Sequence, residues 1–252
     1  MQVLCRIAVL ATVPLSVFSY ADDLNDDLLA AAQAGDLAKV QSLVGRGAVV
    51  DAHNDDYLTP LILASRHDHA DVVAFLLARS ADVNFKSRGG VTALMSAARS
   101  GGLPVMEALL SHGADVDVRN ANGSTALMRA VERGSADLTN ALLQHGADVN
   151  LKDNLGRTAL MRAATSGHAQ IEEMLLSRGA NVDEKSNAGW TALMLAATGG
   201  HSDALKPLLA KGANVNIANN MGWTAEKSAA MKGYDHIVRQ HRQAAAAGVA
   251  HK

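Results

Sequence analysis

Cysteine occurs once in the 252 residues, at Cys5, and aromatic side chains make up only 3% of the chain. A single thiol excludes an internal disulfide framework and any Cys-pair metal site. Charge of one sign is lacking too: the formal balance is -2, without the basic excess that marks a nucleic-acid partner. Apolar runs are short after Val17, so nothing beyond that point is long enough to span a bilayer. Also missing are Gly-x-Ser-x-Gly, His-Glu-x-x-His and a phosphate-binding glycine loop, which removes the motif-bearing hydrolases and nucleotide enzymes. What remains is an apolar share of 48%, carried mainly by Ala, Leu and Val. Small side chains of that kind suit short helices packed closely together.

The first residues differ from the rest. Met1–Arg6 carries one positive charge, Ile7–Val17 is almost unbroken apolar sequence, and Ser19-Tyr20-Ala21 precedes Asp22-Asp23. A charged start, a short apolar centre and small residues before an acidic pair predict a cleaved signal peptide over 1–21, too short for a membrane span. Cys5 precedes the apolar run, which is the wrong place for a lipid anchor. Removing residues 1–21 leaves 231 of 252, seven times 33, and no cysteine. The expected location is the periplasm or the extracellular space.

From there the chain repeats itself. Thr59, Thr92, Thr125, Thr158, Thr191 and Thr224 are spaced by 33 residues, and each opens a similar segment, such as Thr158-Ala159-Leu160-Met161-Arg162-Ala163-Ala164. Gly113-Ala114-Asp115-Val116 and its copies at Gly146, Gly179 and Gly212 keep the same interval. Two markers on one period define a repeat array. Counted from Thr as zero, positions +2, +5 and +6 are apolar and lie on one side of a helix. A glycine follows at +9 in four copies (Gly101, Gly134, Gly167, Gly200), but Asp68 takes that place in repeat 2 and predicts a different or strained turn. A second helix carries pairs such as Leu76/Leu77 and Leu175/Leu176. Gly90, Gly123, Gly156, Gly189 and Gly222 mark a tight turn before each Thr. Pro207, inside the second helix of repeat 6, removes a hydrogen bond and predicts a bend.

Thr59-Pro60-Leu61-Ile62-Leu63-Ala64, and Thr-Ala-Leu-Met-x-Ala in repeats 3 to 6, resemble the signature of the ankyrin-repeat family. The resemblance implies an all-α solenoid of about seven 33-residue helix-turn-helix repeats with hairpin loops, over 22–252. Repeats begin near 24, 57, 90, 123, 156, 189 and 222. Repeat 1 is a cap in which the Asp22–Asp27 segment is expected to start a helix. Repeat 7 is the other cap, with Glu226, His241 and Arg242 where interior repeats are apolar, as an end without a neighbour requires. The family also implies a concave face that binds a protein, and with no catalytic motif in the sequence no enzyme activity and no cofactor are expected. A monomer is expected, with no nucleic-acid or membrane partner after cleavage.

Residues that vary between copies then carry the functional reading. Positions +4, +7 and +8 are expected to face away from the core, and five arginines fall there: Arg66, Arg99, Arg129, Arg133 and Arg162, against one acid, Glu132. That stripe predicts acidic groups on the partner. The residue before each Thr is Leu58, Val91, Ser124, Arg157, Trp190 and Trp223, so both tryptophans are expected exposed at one position of adjacent hairpins. With Leu155, Met221 and Tyr57 they form the expected apolar contact. A second reading rests on Met95, Met128, Met161 and Met194, a row at +3, with His67, His69, His112 and His145. Such residues could handle copper(I) or oxidant if solvent reached them. The plainer role is packing for the methionines, and for His112 and His145 the closing of a helix, as Arg178 and Lys211 do in later repeats.

Overall fold

The computed structural model describes residues 15–249. Fourteen helices and no strand occur among the described residues, joined in pairs. These are α1 (Leu15–Ala34) with α2 (Leu37–Gly45), α3 (Pro60–Arg66) with α4 (Ala70–Ala78), and α5 (Ala93–Ser100) with α6 (Leu103–Ser111). Next come α7 (Ala126–Arg133) with α8 (Ala136–Gln144), and α9 (Ala159–Ser166) with α10 (Ala169–Ser177). The last pairs are α11 (Ala192–Gly199) with α12 (Ser202–Ala210), and α13 (Ala225–Met231) with α14 (Asp235–Val249). First helices stack on first helices and second on second, one repeat after the next.

The recurring threonine starts each first helix from α3 onward by a direct mechanism. Thr125 Oγ1 accepts from the Met128 amide at 3.3 Å, and Thr59, Thr92, Thr158, Thr191 and Thr224 do the same three residues on. Each satisfies an amide the helix cannot. Ala, Leu and Ala at +1, +2 and +5 or +6 are buried in one continuous core. Met95, Met128, Met161 and Met194 belong to that core and are between 1 and 3% exposed. They pack helix on helix, and the oxidant or copper reading loses the solvent access it required.

Loops are tied across repeats as well. The amides of Asp82, Asp115, Asp148, Asn181 and Asn214 each donate to an Asp or Asn side chain of the preceding repeat at 2.8–3.0 Å. The hairpin tips add backbone bonds, such as Asn154 N to Asn122 O at 3.0 Å and Asn187 N to Leu155 O at 3.0 Å.

Three sequence expectations need correction or completion. Helix α1 does not start at Asp22–Asp27 but runs through it from Leu15, because no glycine or proline interrupts the segment. Asp27 instead accepts from Lys39 Nζ at 3.0 Å. Residues 1–14 of the expected signal peptide lie outside the described residues. In repeat 2, Asp68 keeps the left-handed turn of the glycine it replaces, with φ +62. Tyr57 (φ +59) and Ser80 (φ +61) do likewise where the next repeat has Gly90 and Gly113, so this repeat holds three side chains in a conformation that L-residues resist. Pro207 sits inside α12, yet that helix keeps nine residues, as α10 does.

His112, His145, Arg178 and Lys211 close their second helices as expected. His112 Nδ1 lies 2.8 Å from the Ala108 carbonyl oxygen. His69 is also structural, with Nε2 3.0 Å from the Gln33 carbonyl oxygen. At the C-terminal cap, Arg242 Nε donates to Glu226 Oε1 at 2.7 Å.

Candidate partner-binding face

The first helices and the hairpins before them build one face, on which the arginines divide into two groups. Arg66 lies in the last turn of α3 and Arg99 in the last turn of α5, where a cation complements the helix dipole. With Arg129, on α7, they surround a cavity of about 420 Å³ whose other walls are Val91, Met95, Ser96, Ser100 and Asn120. No carboxylate lines it. The guanidinium groups of Arg66 and Arg99 have no hydrogen bond or ion pair among the described residues. Arg129 reaches Glu132 at 3.3 Å. Burial, and then the nearby Arg99, hold the Arg129 guanidinium below its ordinary pKa.

Arg157 and Arg162 behave differently. Arg162 is buried, not outward-facing as the helix pattern implies. Its Nη2 donates to Asp153 Oδ2 at 2.7 Å and Ser124 Oγ at 2.8 Å, and its Nη1 pairs with Glu132 Oε1. Arg157 Nε donates to the same Asp153 oxygen at 2.8 Å. Burial, then Arg129, pushes the Arg162 pKa down to about 10, and its Nε is buried without a partner. Around these groups lies a second cavity of about 410 Å³, sharing Arg129 with the first and reaching Leu155. Here the protein supplies its own anions.

Position +4 as a whole departs from expectation. Leu63, Ser96, Arg162 and Ser228 are buried, and Arg129 and Leu195 half-buried. A single helix would expose +4; the hairpin folded beside it covers the position. Arg133 is exposed but turned back, donating through Nη1 to the Arg99 carbonyl at 3.0 Å. It lies close over Gly101, where a Cβ would have to displace the guanidinium.

The tryptophans are half-buried, not free. Trp190 packs against the core, so its ring stabilises the stack as well as edging the face. Apolar groups of neighbouring hairpin positions are more exposed: Leu155 is 59% and Met221 61% exposed, at equivalent places two repeats apart, and Met231 on α13 is 61% exposed. Tyr57 is 44% exposed. Its ring stacks on His53 at 4.4 Å, with the Arg88 guanidinium 5.8 Å from its centroid.

Sequence reasoning overlooked one column of residues: Asn54, Ser87, Asn120, Asp153, Ser186 and Asn219, spaced by 33. Each side chain accepts amides of its own hairpin, for example Asn120 Oδ1 from Asn122 and Ser124 and Asp153 Oδ1 from Leu155 and Arg157, all at 2.8–2.9 Å. Asp153 is the only charged member. Its coincidence with the only repeat having arginine at both –1 and +4 was the available signal.

Among the described residues no group of three or more His, Cys, Asp or Glu side chains could hold a metal ion, and no helix is long and apolar enough to cross a membrane. A family model described as ankyrin repeats in three copies matches residues 28–120, 113–186 and 173–240. No curated protein matches the chain.

Proposed function

The chain belongs to the ankyrin-repeat family, whose repeats form protein-interaction modules, and on that premise we propose a non-enzymatic, exported protein that binds one protein partner through its first-helix and hairpin face. The carrying observation is that large apolar side chains are left in solvent on that face, among them Tyr57, Leu155 and Met221, together with the arginine-lined cavity. Exposed apolar tips next to cations are the arrangement of a binding site with an apolar anchor and a charged flank. Trp190, half-buried against the core, and Trp223, half-buried, add apolar surface in the adjacent hairpins. The run Ile7–Val17 and the small residues before Asp22 support export to a periplasm, where the partner would be met. Shielding against an enzyme, or inhibiting it, is a role such a face could serve.

Affinity capture from the periplasmic fraction of the source cells, followed by mass spectrometry, tests the reading. One recovered partner is expected, bound at least roughly ten-fold more weakly after Leu155→Ala with Met221→Ala, as removal of hot-spot groups produces. Recovery of no partner, or affinity unchanged within twofold in the double variant and in Trp190→Ala and Trp223→Ala, would contradict it. N-terminal sequencing should find Asp22 first.

A further inference from the structure

Repeats 4 and 5 carry the same arrangement with opposite outcomes. In repeat 5 a buried arginine at +4, Arg162, meets a carboxylate at the hairpin column, Asp153. In repeat 4 the arginine at +4, Arg129, shares its cavity with Asn120, the neutral counterpart of Asp153. Asn120 Oδ1 is taken up by two hairpin amides, and its NH2 group has no partner among the described residues. Arg66 and Arg99 bring two unpaired guanidinium groups to the same space, beside Arg129, which pairs with Glu132. The cavity thus presents donors from three sides and lacks any internal acceptor of matching charge.

We infer that the cavity bounded by Arg66, Arg99 and Arg129 is a receptor site for a carboxylate side chain of the partner, on an acidic peptide segment. The inference rests on the protein-binding reading above and names the chemistry of the partner. Asp153 shows intramolecularly what such an arginine holds in the neighbouring repeat. Fork-shaped guanidinium donors match a carboxylate with two parallel hydrogen bonds. Val91 and Met95 line the same cavity and suit the methylene stem of a glutamate. A volume of about 420 Å³ falls in the range of ligand sites, ~300–1,000 Å³. The second cavity shares Arg129 as a wall and reaches the exposed Leu155, so the two lie side by side along the face. A peptide fits that arrangement better than a free ion.

The test is binding of a dye-labelled, end-blocked hexaglutamate peptide to the full chain, followed by fluorescence anisotropy at low salt. Saturable binding is expected, although protein and peptide are both net negative. Arg66→Gln with Arg99→Gln should weaken it at least roughly ten-fold, the effect of losing charge-assisted hydrogen bonds. Asn120→Asp, which gives repeat 4 the carboxylate of repeat 5, should weaken it as much. The charge-matched control, Lys227→Gln with Lys232→Gln, should change it less than twofold, and hexaglutamine should not bind. Circular dichroism and urea midpoints identify any variant that fails to fold. No binding of hexaglutamate, equal losses in the arginine and lysine pairs, or full displacement by inorganic phosphate would overturn the inference. A captured protein partner that still binds Arg66→Gln with Arg99→Gln undiminished would refute this site while leaving the interaction function standing.

Discussion

Repeat 4 has Asn120 in its hairpin and repeat 5 has Asp153 at the equivalent place, and the arginines beside them are used in different ways. Around Asp153, Arg162 is buried in the stack and Arg157 is tied down from the surface, and both are neutralised. Around Asn120, Arg129 remains with Arg66 and Arg99 in a cavity without a carboxylate. The column residue thus separates an arginine enclosed by its own hairpin, Arg162, from one that reaches only Glu132 and stays at the edge of the open cavity, Arg129. A stripe of like residues along a solenoid cannot be treated as one surface; each member depends on its neighbour in the adjoining loop.

The largest effect is expected from giving repeat 5 the asparagine of repeat 4. Asp153→Asn leaves the buried Arg162 with Glu132 as its one anionic partner and should destabilise the protein by about 3–5 kcal/mol, the cost of breaking a buried ion pair. Urea unfolding measures it, and a loss below about 1 kcal/mol would mean that Arg162 is held by Ser124 and Glu132 alone.

A second buried acid, Glu172, sharpens the same contrast because nothing compensates it. Both its carboxyl oxygens are buried without a partner, at a place where the other repeats have Val40, Val73, Met106, Thr139, Leu205 and Val238. Burial, then repulsion from Glu173, raises its pKa to about 8 from the ordinary 4.5. Between these values the unfolded chain has released a proton that the folded chain keeps. Stability from this group is thus greatest below pH 4.5 and falls as pH rises towards 8. Glu172→Leu should stabilise the protein at pH 8 by about 2–4 kcal/mol and flatten the pH dependence. Midpoints that change equally at pH 5 and pH 8 would contradict the assignment.

Smaller effects are expected in repeat 2. Asp68→Gly and Tyr57→Gly relieve left-handed conformations and should each stabilise by about 1 kcal/mol. The two differ in function: Tyr57→Gly should also weaken the partner, whereas Asp68→Gly should leave binding unchanged. Equal effects on binding would remove Tyr57 from the face. The smallest change is that of Arg133→Gln, which loses one exposed bond to the Arg99 carbonyl. It should cost about 0.5–1 kcal/mol and leave hexaglutamate affinity within twofold.

The parts of the fold that depend on local chemistry were legible in the sequence. Threonine caps, turn glycines and the apolar positions of the first helices follow from a single helix and its ends, and Thr59 to Thr224 behave accordingly. What was not legible depends on contacts between elements. Helical periodicity alone places Arg162 outside; the Ser124 hairpin and Asp153, nine residues away, enclose it. Trp190 and Trp223 were recognisable as apolar anchors, but their half-burial is set by how neighbouring loops pack, and exposure passed to Leu155 and Met221. Asp22–Asp27 suggested a helix start because the repeat register placed one there, while the absence of any breaker from Leu15 onward carried the helix through.

The division of the arginines can be measured directly by labelling the full chain with an arginine-specific dicarbonyl reagent and reading each site by mass spectrometry, with and without hexaglutamate peptide. Arg66 and Arg99 are expected to react readily and to be protected by the peptide, while Arg162 stays unreactive in both conditions. Equal reactivity of Arg162 and Arg99, or no protection at Arg66 and Arg99 under saturating peptide, would contradict the assignment of the open cavity as the site where this protein receives its partner.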